Sequence, residues 1–253
     1  MRILAFDTAT QATTVALNDP AEGIVLERRH DPAAGERPGH ATHLLPLVAE
    51  ILEQAGGGWQ AVDRIAVGVG PGTFTGLRIG VATARALARA REIPLVGISS
   101  LEALAAPEAE ALAAAGGARE AEAAPAPAPR AVLAVIDARR GEAFAAAWRG
   151  RELCLEPRAL RPEALAVEVA ALSAANGVAP LAVGDGALRF REQIEAAGAV
   201  VAPADSRLHR IWAINHCRLA AGLPATAPAE VGPAYLRAPD AEIAYREHHR
   251  GPK

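Results

Sequence analysis

Large side chains are scarce in this chain. Aromatic residues make up 4% of its 253 positions and there is a single methionine, yet hydrophobic residues reach 51%. Alanine fills the gap, so the expected core is one in which small side chains let backbones come close. Cysteine is also thin. Cys154 and Cys217 lie far apart with no companion ligands at metal spacing, which excludes a disulfide framework and a cysteine-based zinc site and fits reduced, structural thiols. No apolar run approaches the roughly 20 residues that cross a bilayer. The opening Met1-Arg2-Ile3-Leu4-Ala5-Phe6-Asp7 reads as a strand ending in an acid, not as a signal peptide. A soluble, cytoplasmic protein is the expectation. Neither charge dominates: 26 Lys and Arg against 29 Asp and Glu leave a net charge of -3. That excludes a protein gripping nucleic acid by charge alone, so any RNA would be held mainly by a partner.

The apolar pattern alternates between strand and helix. Strands are predicted over Ile3–Phe6, Thr13–Leu17, Ile24–Arg28, Ile65–Val69 and Pro94–Ile98. Leu44, Leu47, Val48, Ile51 and Leu52 recur at helical spacing, with Pro46 expected in the first turn and Gly56 to Gly58 ending the helix. Further helices are predicted over about 73–91, capped by Thr73, and over Leu101–Ala115. Residues 116–130 contain Ala-Pro-Ala-Pro-Ala-Pro, which forbids helix and central strand and reads as a linker or exposed loop. The expected division is therefore 1–115, a linker at 116–130, a second subdomain at 131–240 and a polar tail at 241–253 that holds His248 and His249.

The second half echoes the first. Leu4-Ala5-Phe6-Asp7-Thr8-Ala9 turns into Val15-Ala16-Leu17, and Leu133-Ala134-Val135-Ile136-Asp137-Ala138 turns through Arg139-Arg140-Gly141-Glu142 into Ala143-Phe144-Ala145-Ala146. Both read strand, Asp, turn, strand. Duplication of the kind found in the actin and sugar-kinase fold and coincidence between two hairpins both accommodate this.

The most distinctive block is Gly70-Pro71-Gly72-Thr73-Phe74-Thr75-Gly76-Leu77-Arg78-Ile79-Gly80. It places a glycine turn between a strand and a helix N-terminus. It lacks both the Gly-Lys-Ser/Thr of a P-loop and Rossmann glycine spacing, so close packing is expected there instead of phosphate binding. At about 100° per residue, Gly76, Gly80, Thr83 and Leu87 share one helix face and Arg78, Arg85 and Arg89 lie opposite. Two glycines one turn apart imply that something approaches the backbone, either the sheet beneath or another helix.

These segments, with His-Ala-Thr-His-Leu-Leu-Pro at 40–46, Gly97-Ile98-Ser99-Ser100-Leu101 and Pro233-Ala234-Tyr235-Leu236-Arg237, resemble the TsaB (YeaZ) family in order along nearly the whole chain. The resemblance implies an α/β, actin-like (ASKHA, ribonuclease H-like) duplicated fold of two subdomains. It implies a non-catalytic subunit that pairs with a TsaD-like catalytic subunit, joined by a TsaE-like ATPase. Together they transfer a threonylcarbamoyl group to the adenosine beside the anticodon of tRNA. No cofactor is implied, tRNA is met only through the complex, and homodimerisation of the isolated chain is left open. Vestigial nucleotide-loop positions would be Asp7, Thr8, Asp137, Gly184 and Gly186. Val183-Gly184-Asp185-Gly186 lacks the glycine pair and asparagine of the catalytic relatives. Asp7 and Asp137 either hold a hydrated Mg²⁺ or tie down their turns, and the second role is expected. The partner interface would comprise His40, Leu44, Leu47, Val48, Ile51, Phe74, Gly76, Leu77, Gly80 and Thr83.

His40 and His43 form the one metal-like pair. Their i, i+3 spacing differs from the i, i+4 pair of the catalytic relatives and no third ligand is evident, so a helix start with polar contacts is expected. His209, Trp212, His216 and Cys217 are expected on a C-terminal helix, as core or interface. The competing readings are a stand-alone ATP- or metal-dependent enzyme of the same superfamily and a simple homodimeric binding protein. No zinc motif or nucleophile–base pair supports a peptidase.

Overall fold

The computed structural model describes residues 1–33, 35–117 and 130–237, with the side chains of 109–117 and 176 left aside. Most of the predicted linker (118–129) and the predicted tail (241–253) lie outside the described residues. The first half contains β1 (Ile3–Asp7), β2 (Thr13–Asp19), β3 (Ile24–His30), α1 (His40–Ala55), β4 (Arg64–Gly70), α2 (Phe74–Arg91), β5 (Leu95–Ser99) and α3 (Ser100–Gly117). There follow β6 (Val132–Arg139), β7 (Glu142–Arg149), β8 (Glu152–Leu160), α4 (Pro162–Asn176), β9 (Leu181–Val183), α5 (Asp185–Arg189), α6 (Arg191–Ala196), β10 (Val200–Val201) and α7 (Ala213–Ala221).

Duplication is real. The first sheet runs β3-β2-β1-β4-β5 and the second β8-β7-β6-β9-β10. In each, the first three strands pair antiparallel and the last two add parallel to the first. This is an α/β actin-like architecture of two subdomains. Its layers follow from the two-residue period of strands, which gives each sheet two apolar faces. Leu4, Phe6, Val15 and Leu17 meet α1 and α2 through Leu44, Val48, Ile51, Val81 and Ala84. On the reverse face Ile3, Ala5, Ala16 and Ala66 meet Ala103 of α3 and Ala213, Ile214, Cys217 and Ala220 of α7. Leu101 and Leu104 of α3 also meet Val132, Ala134 and Ile136 of the second sheet. The outer face of that sheet is covered by Leu165 and Val169 of α4, with Ala187 and Ile194 of α5 and α6. Alanine is concentrated where α3 and α7 press on the first sheet, as the scarcity of large side chains requires.

Several local expectations need correction. Helix α1 starts at His40, so Pro46 falls in its second turn. Lacking an N–H, Pro46 cannot bond the carbonyl of Thr42, and Thr42 is exposed to water. Thr73 occupies the N-cap of α2 without a side-chain capping bond, and its N–H donates to the Ala9 carbonyl at 2.7 Å instead. His209 and Trp212 precede α7, with His209 in a single 3-10 turn, so only His216 and Cys217 lie on the helix. The buried arc of α2 is Gly76, Leu77, Gly80, Val81, Ala84 and Ala88, leaving Thr83 and Leu87 on its flank.

The glycines of α2 face this chain's own β1–β2 turn. A Cβ on Gly76 would overlap the Thr8 carbonyl, and one on Gly80 would overlap Thr8 Oγ1. Thr8 is fully buried, and its hydroxyl donates to the Gly76 carbonyl at 2.8 Å. Gly80→Leu is therefore expected to destabilise the fold by about 1–3 kcal/mol, the usual cost of overpacking. For a chain of this size that lowers the melting temperature by roughly 2–4 °C per kcal/mol. Thermal unfolding measures the loss. An unchanged melting temperature would contradict the packing of α2 on Thr8.

Candidate functional site: a cleft with one loop turned inward

In this fold the two strand–Asp–turn–strand units face each other across a cleft. A cavity of about 470 Å³ lies there, lined by Thr10 and Gln11 from the first unit and by Asp137, Arg139, Asp185 and Arg189 from the second, with His209 and Arg210 at one side. Of the five expected loop positions, Asp7, Thr8, Asp137, Gly184 and Gly186, only Asp137 lines it.

Asp7 points the other way. Its Oδ1 accepts the Ala9 N–H at 2.6 Å, and its Oδ2 accepts the Ser100 hydroxyl at 2.6 Å and the His216 Nε2–H at 3.0 Å. Asp7 and His216 are both buried, at 1% and 0% side-chain exposure. Burial pushes the Asp7 carboxyl up, but the hydrogen bond and charge of His216, with the bonds from Ser100 and Ala9, hold it below the usual carboxylate range. The Asp7 bonds therefore join β1 to the start of α3 and the middle of α7.

Asp137 makes the matching turn bond, accepting the Arg139 N–H on Oδ1 at 2.9 Å. Its Oδ2 takes Arg189 Nη1 at 3.1 Å and lies 3.5 Å from Arg139 Nη1. Asp137 N–H donates to Asp185 Oδ1 at 3.1 Å. The hairpin tip is left-handed at Arg139 (φ 62°), Arg140 (φ 53°) and Gly141 (φ 76°). Positive φ at both central residues, Arg140 and Gly141, suits a tight two-residue turn. Gly184 and Gly186 pack against the backbone of β6: a Cβ on Gly184 would overlap the Val135 carbonyl, and one on Gly186 would come within 2.8 Å of the Ile136 carbonyl carbon. His209 fastens this corner, its Nδ1 2.8 Å from the Gly184 carbonyl and its Nε2 3.1 Å from that of Ala202.

The histidine pair separates. His40 is buried with Nδ1 2.9 Å from Thr13 Oγ1, while His43 stacks on His30 with ring centroids 3.6 Å apart. Among the described residues no three His, Cys, Asp or Glu side chains are grouped to hold a metal. The interface candidates also divide. Leu44, Val48, Ile51 and Leu77 are core, and His40, Gly76 and Gly80 are buried within this chain. Leu47, Phe74 and Thr83 remain partly open to solvent. Sequence reasoning missed Arg189 altogether, and it missed Ser100 and His216 as the partners of Asp7. No local signal marks them, since Ser100 and His216 lie 93 and 209 positions from Asp7.

Two predictions follow from the Asp7 contacts and from buried His40. Asp7→Ala should cost a few kcal/mol, about 1–3 for each buried group left unpaired, in chemical denaturation, because it leaves the His216 Nε2 and the Ser100 hydroxyl buried without their partner. Stability should also fall with pH in two stages. The His40 pKa is lowered by burial, partly offset by the charge of Asp7. The unfolded chain therefore takes up that proton first, and stability declines as pH falls below about 6.5. Asp7, lowered in the fold, contributes stability present above about pH 4 and lost as pH falls through its folded pKa. His40→Gln should flatten the upper stage and leave the lower one. Parallel pH profiles for wild type and variant would refute the assignment to His40.

Comparison with known proteins agrees with this architecture. The family model described as "TsaD: tRNA N6-adenosine threonylcarbamoyltransferase" matches residues 32–156, just under half of the chain. The tRNA threonylcarbamoyladenosine biosynthesis protein TsaB of Escherichia coli is 36% identical over 153 residues, covering 60% of this chain and 57% of that protein. That of Haemophilus influenzae is 36% identical over 105 residues, 42% of each. The chain thus spans about half the length of the curated relatives it matches. Solved structures extend the likeness. An uncharacterized protein with similarity to peptidase YeaZ from Pseudomonas aeruginosa superposes with a TM-score of 0.71 at 31% identity, over 93% of this chain and 99% of that one. YeaZ from Pseudomonas aeruginosa gives 0.68 at 29% identity with the same coverage. With its duplicated sheets and a relative matched over nearly its full length, the chain belongs to the TsaB/YeaZ family.

Proposed function

We propose that this chain is a non-catalytic, cytoplasmic subunit of a threonylcarbamoyl transferase. It pairs with a TsaD-like catalytic subunit, joined by a TsaE-like ATPase, to modify the adenosine beside the anticodon of tRNA. The observation that carries this reading is the inward turn of Asp7. The carboxylate that would face a nucleotide is hydrogen-bonded to Ser100, His216 and Ala9, away from the cavity. Membership of a family whose curated members are named as threonylcarbamoyladenosine biosynthesis proteins supports the pathway. The net charge of -3 favours a tRNA held chiefly by the partner.

The partner face is proposed to lie on α1 and α2. Leu47, Phe74 and Thr83 are its partly open residues, and exposed Leu45 flanks them. The buried set His40, Leu44, Val48, Ile51, Gly76, Leu77 and Gly80 fixes its shape from beneath. A stand-alone enzyme is the second reading, favoured by the cavity that Asp137 still lines.

Mixing the chain with the TsaD-like subunit of the same organism should give a stoichiometric complex by sedimentation, and tRNA modification should require both. Asp137→Asn should then leave modification within a few-fold of wild type. A loss on the order of a thousandfold with the complex intact would mark a catalytic group and overturn the non-catalytic assignment.

A further inference from the structure

A second cavity, of about 220 Å³, lies where α3, the β7–β8 turn and the end of α7 meet. Its apolar wall is made by Ala105 and Ala106 of α3, Trp148 of β7, and Leu219 and Leu223 at the end of α7. Its charged groups are Glu102, in the first turn of α3, with Arg151 and Arg218. Among the described residues none of these three side chains makes a hydrogen bond or ion pair within the protein. Both arginines are exposed, but Glu102 is half-buried. Burial pushes its carboxyl up, and the charge of His216 offsets part of that rise. A carboxylate taken partly out of water normally finds a donor, and this one has none. Trp148 is 8% exposed, and its indole N–H is likewise unbonded among the described residues.

We propose that this cavity binds a small zwitterion, an α-amino acid with an apolar side chain. The guanidinium forks of Arg151 and Arg218 suit the two oxygens of its carboxylate. Glu102 takes the ammonium, which supplies the donors that the acid lacks. The side chain then lies on Trp148, Leu219 and the two alanines. The size agrees, because the cavity falls below the roughly 300–1,000 Å³ of sites for drug-sized ligands. A simple anion would satisfy the arginines and be repelled by Glu102. A simple amine would leave two cations without a counter-charge. The Ala220 and Leu223 carbonyls at the end of α7 already accept Arg64 Nη1, which leaves Glu102 as the free acceptor for an ammonium. The occupant touches α7, which packs on the first sheet, and Trp148, which belongs to the second, so it ties the subdomains together. None of this depends on the function proposed above.

The probes are L-leucine and L-phenylalanine, each compared with its deaminated acid and its decarboxylated amine. Two-dimensional NMR of the isotope-labelled full chain reads the indole N–H signals of its three tryptophans. Either amino acid at millimolar concentration should shift the Trp148 signal saturably and leave in place that of Trp59, which lies beside Arg91. The acid and the amine should each bind at least roughly tenfold more weakly than the parent. Glu102→Gln should abolish the preference over the acid, and Arg151→Gln with Arg218→Gln should abolish the preference over the amine. Melting temperatures without ligand, expected to match wild type, show that the variants are folded. Failure of both amino acids to shift Trp148 overturns the inference. Equal binding of the acid and its parent by wild type also overturns it, since the site would then take any carboxylate. Undiminished amino-acid binding by both variants places the ligand elsewhere and overturns it as well.

Discussion

One buried carboxylate organises this molecule. Asp7 ends the central strand of the first sheet, and its two oxygens receive Ala9, Ser100 and His216, which lie on the following turn, the start of α3 and the middle of α7. Taking an ionised carboxylate out of water is costly unless each oxygen is matched, and here both are. The consequence reaches beyond stability. With Asp7 bonded inward, α3 and α7 are held against one face of the first sheet, and the first loop presents Thr10 and Gln11 to the cleft.

The small side chains serve the same arrangement. Ala5, Ala16 and Ala66 on the sheet meet Ala103, Ala213 and Ala220 on the helices, so the middle layer is thin enough for His216 to reach Asp7. On the other face of the sheet, Gly76 and Gly80 let α2 rest on Thr8, which fixes the height at which α2 stands above the surface. The exposed side of α2 is left to alanine, arginine and the Phe74–Tyr235 pair.

Much of this was legible in the sequence because it is local. The continuous apolar run Ile3–Phe6 and the spacing of Leu44, Val48 and Ile51 mark the strand and the helix. The repeated strand–Asp–turn–strand unit points to the duplicated sheets. What was not legible depends on residues that meet only after folding. Nothing near Asp7 announces Ser100 or His216, and nothing near Gly80 announces Thr8. Thr73 fits the helix-cap pattern, yet its backbone is drawn to Ala9 by the loop. An apolar stripe such as Leu44, Val48 and Ile51 looks alike in sequence whether it meets a partner or its own sheet, and here it packs on its own sheet.

The central proposal is that, with Asp7 bonded inward, the cleft does not hold a nucleotide as working members of this fold do. Calorimetric titration of Mg²⁺-ATP into the isolated chain tests it most directly. The account predicts no saturable binding at concentrations where an enzyme of this fold would be filled. Tight, stoichiometric uptake of ATP together with the metal would contradict it.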